Sequence, residues 1–147
     1  MSVYNLFNTT SLSFSPPTDR LEKIFTTMMQ QYNCAFKDVE IVLVDENEIV
    51  RINNEHLGKD YVTDIITFYY QEDHRGDTPV LDGTLYICLP RVIEQANERS
   101  IPTDQEFFRI VIHGLLHLLD FRDDTKTNKD RMTAEEDIIL QLVNVPF

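Results

Sequence analysis

The sequence predicts an α/β (α+β) fold, and three observations carry the prediction. Four short runs have the length and residue types of β-strands: residues 3 to 7, VEIVLV at 39 to 44, DIITFYY at 64 to 70 and TLYICL at 84 to 89. Between and after them apolar residues recur at helical spacing. One stretch, VIHGLLHLLDFRDD from 111 to 124, begins in a helix that is apolar on nearly every side and carries two histidines four residues apart.

Each element has a local reason. After the first strand, PPTD opens a helix in which Leu21, Ile24, Phe25, Met28 and Met29 keep the i, i+3, i+4, i+7, i+8 spacing of a core-facing stripe. Asp45 and Glu48 form a D-x-x-E start for a short helix ending near His56. The strands at 64–70 and 84–89 are separated by QEDHRGDTP, a polar loop rich in turn formers, and pair as a wide hairpin. PRVIEQANERS is a short helix. Pro102, with a capping box of Thr103 and Glu106, opens the apolar helix through Leu119, and a closing helix spans roughly Asn128 to Val143. The chain shows neither repeat nor low-complexity linker.

Size and charge narrow the function classes. A chain of 147 residues buries about two-thirds of its unfolded surface around one core, so one domain over 1–147 is expected. At 42% hydrophobic and 26% charged residues the composition is that of a globular domain, with no run of the roughly 18 apolar residues that would span a bilayer. The first residues lack the pattern of a secretory signal, which favours a cytoplasmic location. Cys34 and Cys88 form no CxxC pair and are expected to be reduced and buried. A net charge of -12 argues against a broad basic patch for nucleic acid, while a locally positive cleft is compatible with it.

The chemistry concentrates in the apolar helix. Residues i and i+4 lie on one helical face, so His113 and His117 can offer two imidazole nitrogens to one metal ion. A third ligand must come from Asp120, Asp123 or Asp124. Asp123 stands at the third-ligand spacing of metzincin-type zinc peptidases, provided the chain reverses just after Leu119; Asp120 then occupies the left-handed position that those peptidases give to glycine, and aspartate tolerates it. A peptidase also needs the glutamate of HExxH as its base, and Gly114 stands there instead. Glu106, two turns away, reads as a cap, and no general base is evident.

Three blocks in order resemble the YbeY family of metal-dependent endoribonucleases, the rRNA maturation factors. HGLLHLLDFRD, from His113 to Asp123, is similar to H-G-x-L-H-L-x-G-Y-D-H; HLGKDYVTDIITF, from His56 to Phe68, is similar to Y-R-G-K-D followed by T-D-V-L-S-F; Met132 and Glu136 resemble the M-x-x-x-E of the closing helix. The resemblance implies a small mixed four-stranded sheet packed with helices. It also implies one zinc or other divalent ion per chain held by His113, His117 and Asp123, with Lys59, Thr63 and Asp64 as catalytic residues. The implied activity is single-strand-specific RNA cleavage in rRNA 3'-end processing and ribosome maturation, with rRNA or the ribosomal particle, and ribosomal or GTPase assembly proteins, as partners. Two further readings are a ribosome-associated factor with a structural metal and a metallohydrolase or metallopeptidase acting on another bond.

Three departures stand out. Asp123 replaces the third histidine, which makes the site harder and leaves the metal open. Leu57 replaces the arginine of Y-R-G-K-D, with Lys59, Arg51 or Arg109 as substitutes on phosphate. Thr84 takes the place of an aspartate, a change expected to be structural. Lys59 could equally be a solvated loop residue, Thr63 and Asp64 a strand-opening turn and Met132 a core residue; His56 and His74 are expected to be exposed.

Overall fold

The computed structural model describes residues 3–70, 73–75 and 77–145, with the backbone alone for 73–75, so the side chain of His74 lies outside the described set. Twelve elements follow in order among these residues: β1 (Tyr4–Asn8), α1 (Thr18–Tyr32), β2 (Ala35–Phe36), β3 (Val39–Val44), α2 (Glu46–Leu57), β4 (Ile65–Tyr69), β5 (Asp73–Arg75), β6 (Thr78–Leu81), β7 (Gly83–Cys88), α3 (Leu89–Glu98), α4 (Thr103–Leu118) and α5 (Lys126–Leu142). The principal sheet is mixed and four-stranded, in the order β1-β3-β7-β4. β1, β3 and β7 run parallel, and β4 pairs antiparallel to β7 with Ile65 opposite Ile87 and Tyr69 opposite Gly83.

Strand alternation divides the apolar side chains between the two faces. Ile41, Leu43, Leu85 and Ile87 join the main core with α1, α4 and α5, while Val44, Ile66 and Cys88 face the other way and are covered by Ile49 and Ile52 of α2. A parallel sheet needs cover on both sides, and the near-continuous apolar run of β3 follows from that. Within the core Phe25, Phe107, Val111, Ile112, Leu115 and Leu116 are essentially inaccessible. α4 therefore crosses the sheet as the central helix its composition implies.

Two expectations are corrected. The segment between β4 and β7 is not simply a polar loop: β5 and β6 pair antiparallel within it, and β6 pairs parallel to β2, giving a second, three-stranded sheet. At the start of α4, Pro102 is the cap residue and no side chain caps the helix; Thr103 is already inside it. Glu106 is no cap but a buried carboxylate, 1% exposed, 3.5 Å from Arg99 Nη1 and 3.8 Å from Arg109 Nε. Burial pushes its carboxyl above the ordinary value, with the two arginines working against that shift and Asp64 and Glu136 adding to it. The cap expected at α2 does form, with the Asp45 carboxylate accepting from Glu48 N at 2.9 Å.

Candidate metal centre and its cleft

The geometry of the site begins with the end of α4. Phe121 N bonds Leu116 O at 3.0 Å and Asp120 N bonds His117 O at 2.9 Å, while Asp120 sits at φ 69° in the left-handed region. This pair of reversed bonds is a Schellman stop, which turns the chain sharply back over the last helical turn. The reversal returns Asp123 to the histidine face. His113 Nε2 and His117 Nε2 are 3.1 Å apart, and Asp123 Oδ2 lies 3.3 Å from the first and 3.5 Å from the second. The other two aspartates do not join them: Asp120 lines the neighbouring cleft, and Asp124 accepts from Asn128 Nδ2 at 2.7 Å at the start of α5.

Hydrogen bonding at the opposite ring nitrogens decides what these three atoms can hold. His117 Nδ1 donates to the Phe121 carbonyl at 3.0 Å, so its Nε2 carries a lone pair in the neutral ring. His113 Nδ1 donates to Glu136 Oε2 at 2.6 Å, which leaves its Nε2 in the same state. With both rings neutral, two imidazole lone pairs and a carboxylate oxygen thus face one another across little more than 3 Å, an arrangement that a shared metal ion, or a proton on one ring, relieves. Bonds of about 2.0–2.1 Å at tetrahedral angles would place ligand atoms about 3.3–3.4 Å apart, close to the three observed separations. The donor set fits a divalent ion.

The electrostatics agree. Burial works against charge on His113, but the bond and charge of Glu136, together with Asp123 and Asp64, outweigh it and raise its pKa above the ordinary value. Burial, then the nearby His113, lowers that of His117, against the pull of Asp123. Glu136 is 6% exposed and lies on α5 beside the buried Met132, so the closing helix supplies the support behind the first histidine. Sequence reasoning assigned Glu136 no role. The M-x-x-x-E match was its one signal.

A cleft of about 500 Å³ opens in front of the three atoms. Lys59, Thr63 and Asp64 all line it, so the residues expected from the second sequence block share one cleft with the histidines. Lys59 lies just past α2, whose end is set by Gly58 at φ 66°; Asp64 is held where its carbonyl accepts from Cys88 N at 2.9 Å and its carboxylate accepts from Gln95 Nε2 at 3.3 Å. Arg51 is exposed and paired with Glu48 and Glu55, and Arg109 is turned toward Glu136 and Asp137, so neither lines this cleft. Thr84 is buried, bonded to Tyr70 Oη and Glu40, and acts in the sheet. His56 is exposed with its ring edge against Phe68, and both cysteines are buried and free.

Gly114 has a packing reason. A Cβ there would stand 2.7 Å from Ile65 Cδ1 and 3.0 Å from Leu85 Cδ2, so the glycine lets α4 lie close on β4 and β7. The position that a peptidase gives to its base is pressed against the sheet.

The profile of the family described as Endoribonuclease YbeY matches residues 7–144. The chain belongs to the YbeY endoribonuclease family. As a YbeY protein it is a hydrolase acting on RNA. An Endoribonuclease YbeY from Amoebophilus asiaticus is 33% identical over 113 residues, covering 77% of this chain and 74% of the relative. One from Chlorobium phaeobacteroides is 31% identical over 141 residues, covering 96% and 94%. The solution structure of a Thermotoga maritima protein superposes with a TM-score of 0.57 at 23% identity over 94% of this chain and 89% of that one, a likeness of fold. No described helix is long and apolar enough to cross a membrane.

Proposed function

We propose that this YbeY protein is a single-domain, zinc-type metalloenzyme that cuts single-stranded RNA during rRNA 3'-end processing and ribosome maturation in the cytoplasm. The observation that carries the reading is the triangle of His113 Nε2, His117 Nε2 and Asp123 Oδ2, with sides of 3.1, 3.3 and 3.5 Å, at the wall of a cleft that also holds Lys59, Thr63 and Asp64. His113, His117 and Asp123 would hold the ion, one per chain. When bound, such an ion lowers the pKa of a coordinated water and offsets charge building on a phosphate oxygen.

The chain's own residues do the rest. Lys59 places its ammonium against a non-bridging oxygen and holds the strand at the ion. The Thr63 hydroxyl would orient the phosphodiester from the same wall, and Asp64 would take the proton released by the attacking water and return it to the ribose oxygen that leaves as its P–O bond breaks. Glu136 and the Phe121 carbonyl fix the imidazoles so that both Nε2 atoms face the ion. Three protein donors beside an open cleft favour a catalytic ion over a structural one, which would be fully ligated by protein. Gly114, buried against the sheet, disfavours the peptidase alternative.

Elemental analysis and RNA cleavage test the reading together. Protein purified without chelator should carry near-stoichiometric metal, lost in His117→Ala and in Asp123→Ala, and should cut a labelled unpaired RNA while sparing its duplex form. Cells depleted of the protein should accumulate rRNA precursors with unprocessed 3' ends. Metal-loaded protein that leaves unpaired RNA intact, or a His113→Ala variant as active as wild type, defeats the proposal.

A further inference from the structure

The cleft has little charge with which to hold RNA. The chain carries a net charge of -12, and among the described residues lining the cleft Lys59 is the one lysine or arginine, set against Asp64, Asp120 and Asp123; in the adjoining recess past His113, Arg99 and Arg109 stand against Glu106, Glu136 and Asp137, beside Lys129. A polyanion entering here gains little from counterion release, which dominates ordinary nucleic-acid binding. The affinity must have another source.

The same walls carry exposed aromatic surface. Tyr61 is 53% exposed and Tyr69 49% exposed, and both line the cleft that contains the histidines. Tyr69 ends β4, on the strand face that it shares with Ile65 and Thr67, which line the cleft as well. Tyr61 stands in the connection between α2 and β4, a segment tied down from beneath. Asn53, 1% exposed, donates from Nδ2 to the Tyr61 carbonyl at 3.0 Å, and its own carbonyl accepts from Lys59 N at 3.3 Å. An aromatic ring on a fixed backbone offers its face to a ligand at a small ordering cost.

We infer that Tyr61 and Tyr69 form a stacking site for unpaired nucleobases, and that this stacking, rather than phosphate charge, supplies most of the affinity for RNA. The inference rests on the proposed single-strand cleavage and deepens it. A base that is paired inside a helix cannot present its face to a side chain, so the site selects unpaired strands by geometry. Because every base has a π-face, it does so with little regard to sequence. Asn53 ties the Tyr61 backbone to the wall.

Fluorescence anisotropy tests this on the full chain as purified. The probe is a labelled 2'-O-methyl hexaadenylate, checked for intactness by electrophoresis after each titration, beside an abasic probe with the same phosphates. Tyr61→Ala should weaken hexaadenylate binding by about five- to hundred-fold, the range of losing one stacked base, and Tyr69→Ala should act in the same direction. Tyr61→Phe should keep wild-type affinity. The abasic probe should bind wild type weakly and be indifferent to Tyr61→Ala. The slope of log affinity against log salt should be no steeper than about -1.5, the value for one or two contacts at about -0.7 each on a single strand.

Several results overturn the inference: equal binding of the two probes, unchanged affinity in Tyr61→Ala, a slope near -3 to -4, or no binding of hexaadenylate by wild type. A separate cleavage assay on unpaired RNA keeps the two readings apart. If wild type cuts RNA while Tyr61→Ala binds normally, the stacking site falls and the nuclease reading stands. If metal-loaded wild type binds through Tyr61 but cuts nothing, the nuclease reading falls alone.

Discussion

Replacing Glu136 tests whether the buried carboxylate on α5 tunes the metal site 23 residues away. Its Oε2 accepts from His113 Nδ1 at 2.6 Å, at the short end for an N–H···O bond to a charged acceptor, and the pair is largely shielded from water. Glu136→Gln keeps an acceptor in the same place but removes the charge that makes the imidazole a better donor to a cation. Glu136→Ala removes the orienting contact too. Loss of such an outer partner typically lowers metal affinity 10- to 100-fold. The glutamine variant is placed near the lower figure, about 1.4 kcal/mol, and the alanine variant near the upper, about 2.7 kcal/mol. Competition against a chromophoric zinc chelator measures both.

The pH dependence of that difference has a definite sign. Glu136 raises the affinity of His113 for any cation, the proton included, and holds its pKa above the ordinary 6.5. In wild type, protons therefore begin to compete with metal at a higher pH than in Glu136→Gln. The gap in apparent affinity should be widest above the raised His113 pKa and should narrow as pH falls through it. Affinities within two-fold of wild type at pH 8, or a gap that widens on acidification, would refute the coupling.

Other perturbations bear on the scaffold around the site. Gly114→Glu, which would create the peptidase HExxH pattern, should destabilise the protein by about 1–3 kcal/mol, since its Cβ meets the side-chain ends of Ile65 and Leu85. A melting temperature within about 2 °C of wild type would contradict the packing argument. Asp120→Val forces a β-branched residue to φ 69°, so the turn should open, Asp123 should leave the histidines and bound zinc should fall well below one per chain, while Asp120→Gly keeps it. Cys34, whose thiol burial pushes up to about 11, should react with a thiol reagent far more slowly in native protein than after unfolding. Its raised pKa means that its contribution to stability is complete below the ordinary 9.0 and is lost as pH rises through 11, so Cys34→Ala should flatten the alkaline decline of the melting temperature between those values.

How much of this was legible in the chain depended on the reach of each interaction. The helices and the four strands of the principal sheet could be read because the 3.6- and 2-residue periods are local consequences of burial, as in Leu21 to Met29 and in VEIVLV. Asp45 could be read as a cap because its partner is three residues away. The small sheet could not: β2 has two residues and β5 three, too short for any period, and their pairing depends on partners brought from across the chain. Glu106 misled because T-x-x-E is also the pattern of an ordinary first turn once Pro102 has taken the cap position.

The site itself shows the same division, and it explains why spacing alone left three aspartates open. His113 and His117 share a face by helical geometry, so two candidate ligands follow directly from the sequence. Which aspartate joins them depends on a backbone reversal, and a single residue at positive φ settles it: with Asp120 in the left-handed region, Asp120 becomes the pivot and Asp123 the residue delivered. Had α4 continued another turn, Asp120 would have stayed on the histidine face and Asp123 would have been carried away along the helix. Which aspartate joins the candidate group is therefore a property of the helix stop as much as of the carboxylates. A substitution at Asp120 should move the metal site without touching any atom that binds it.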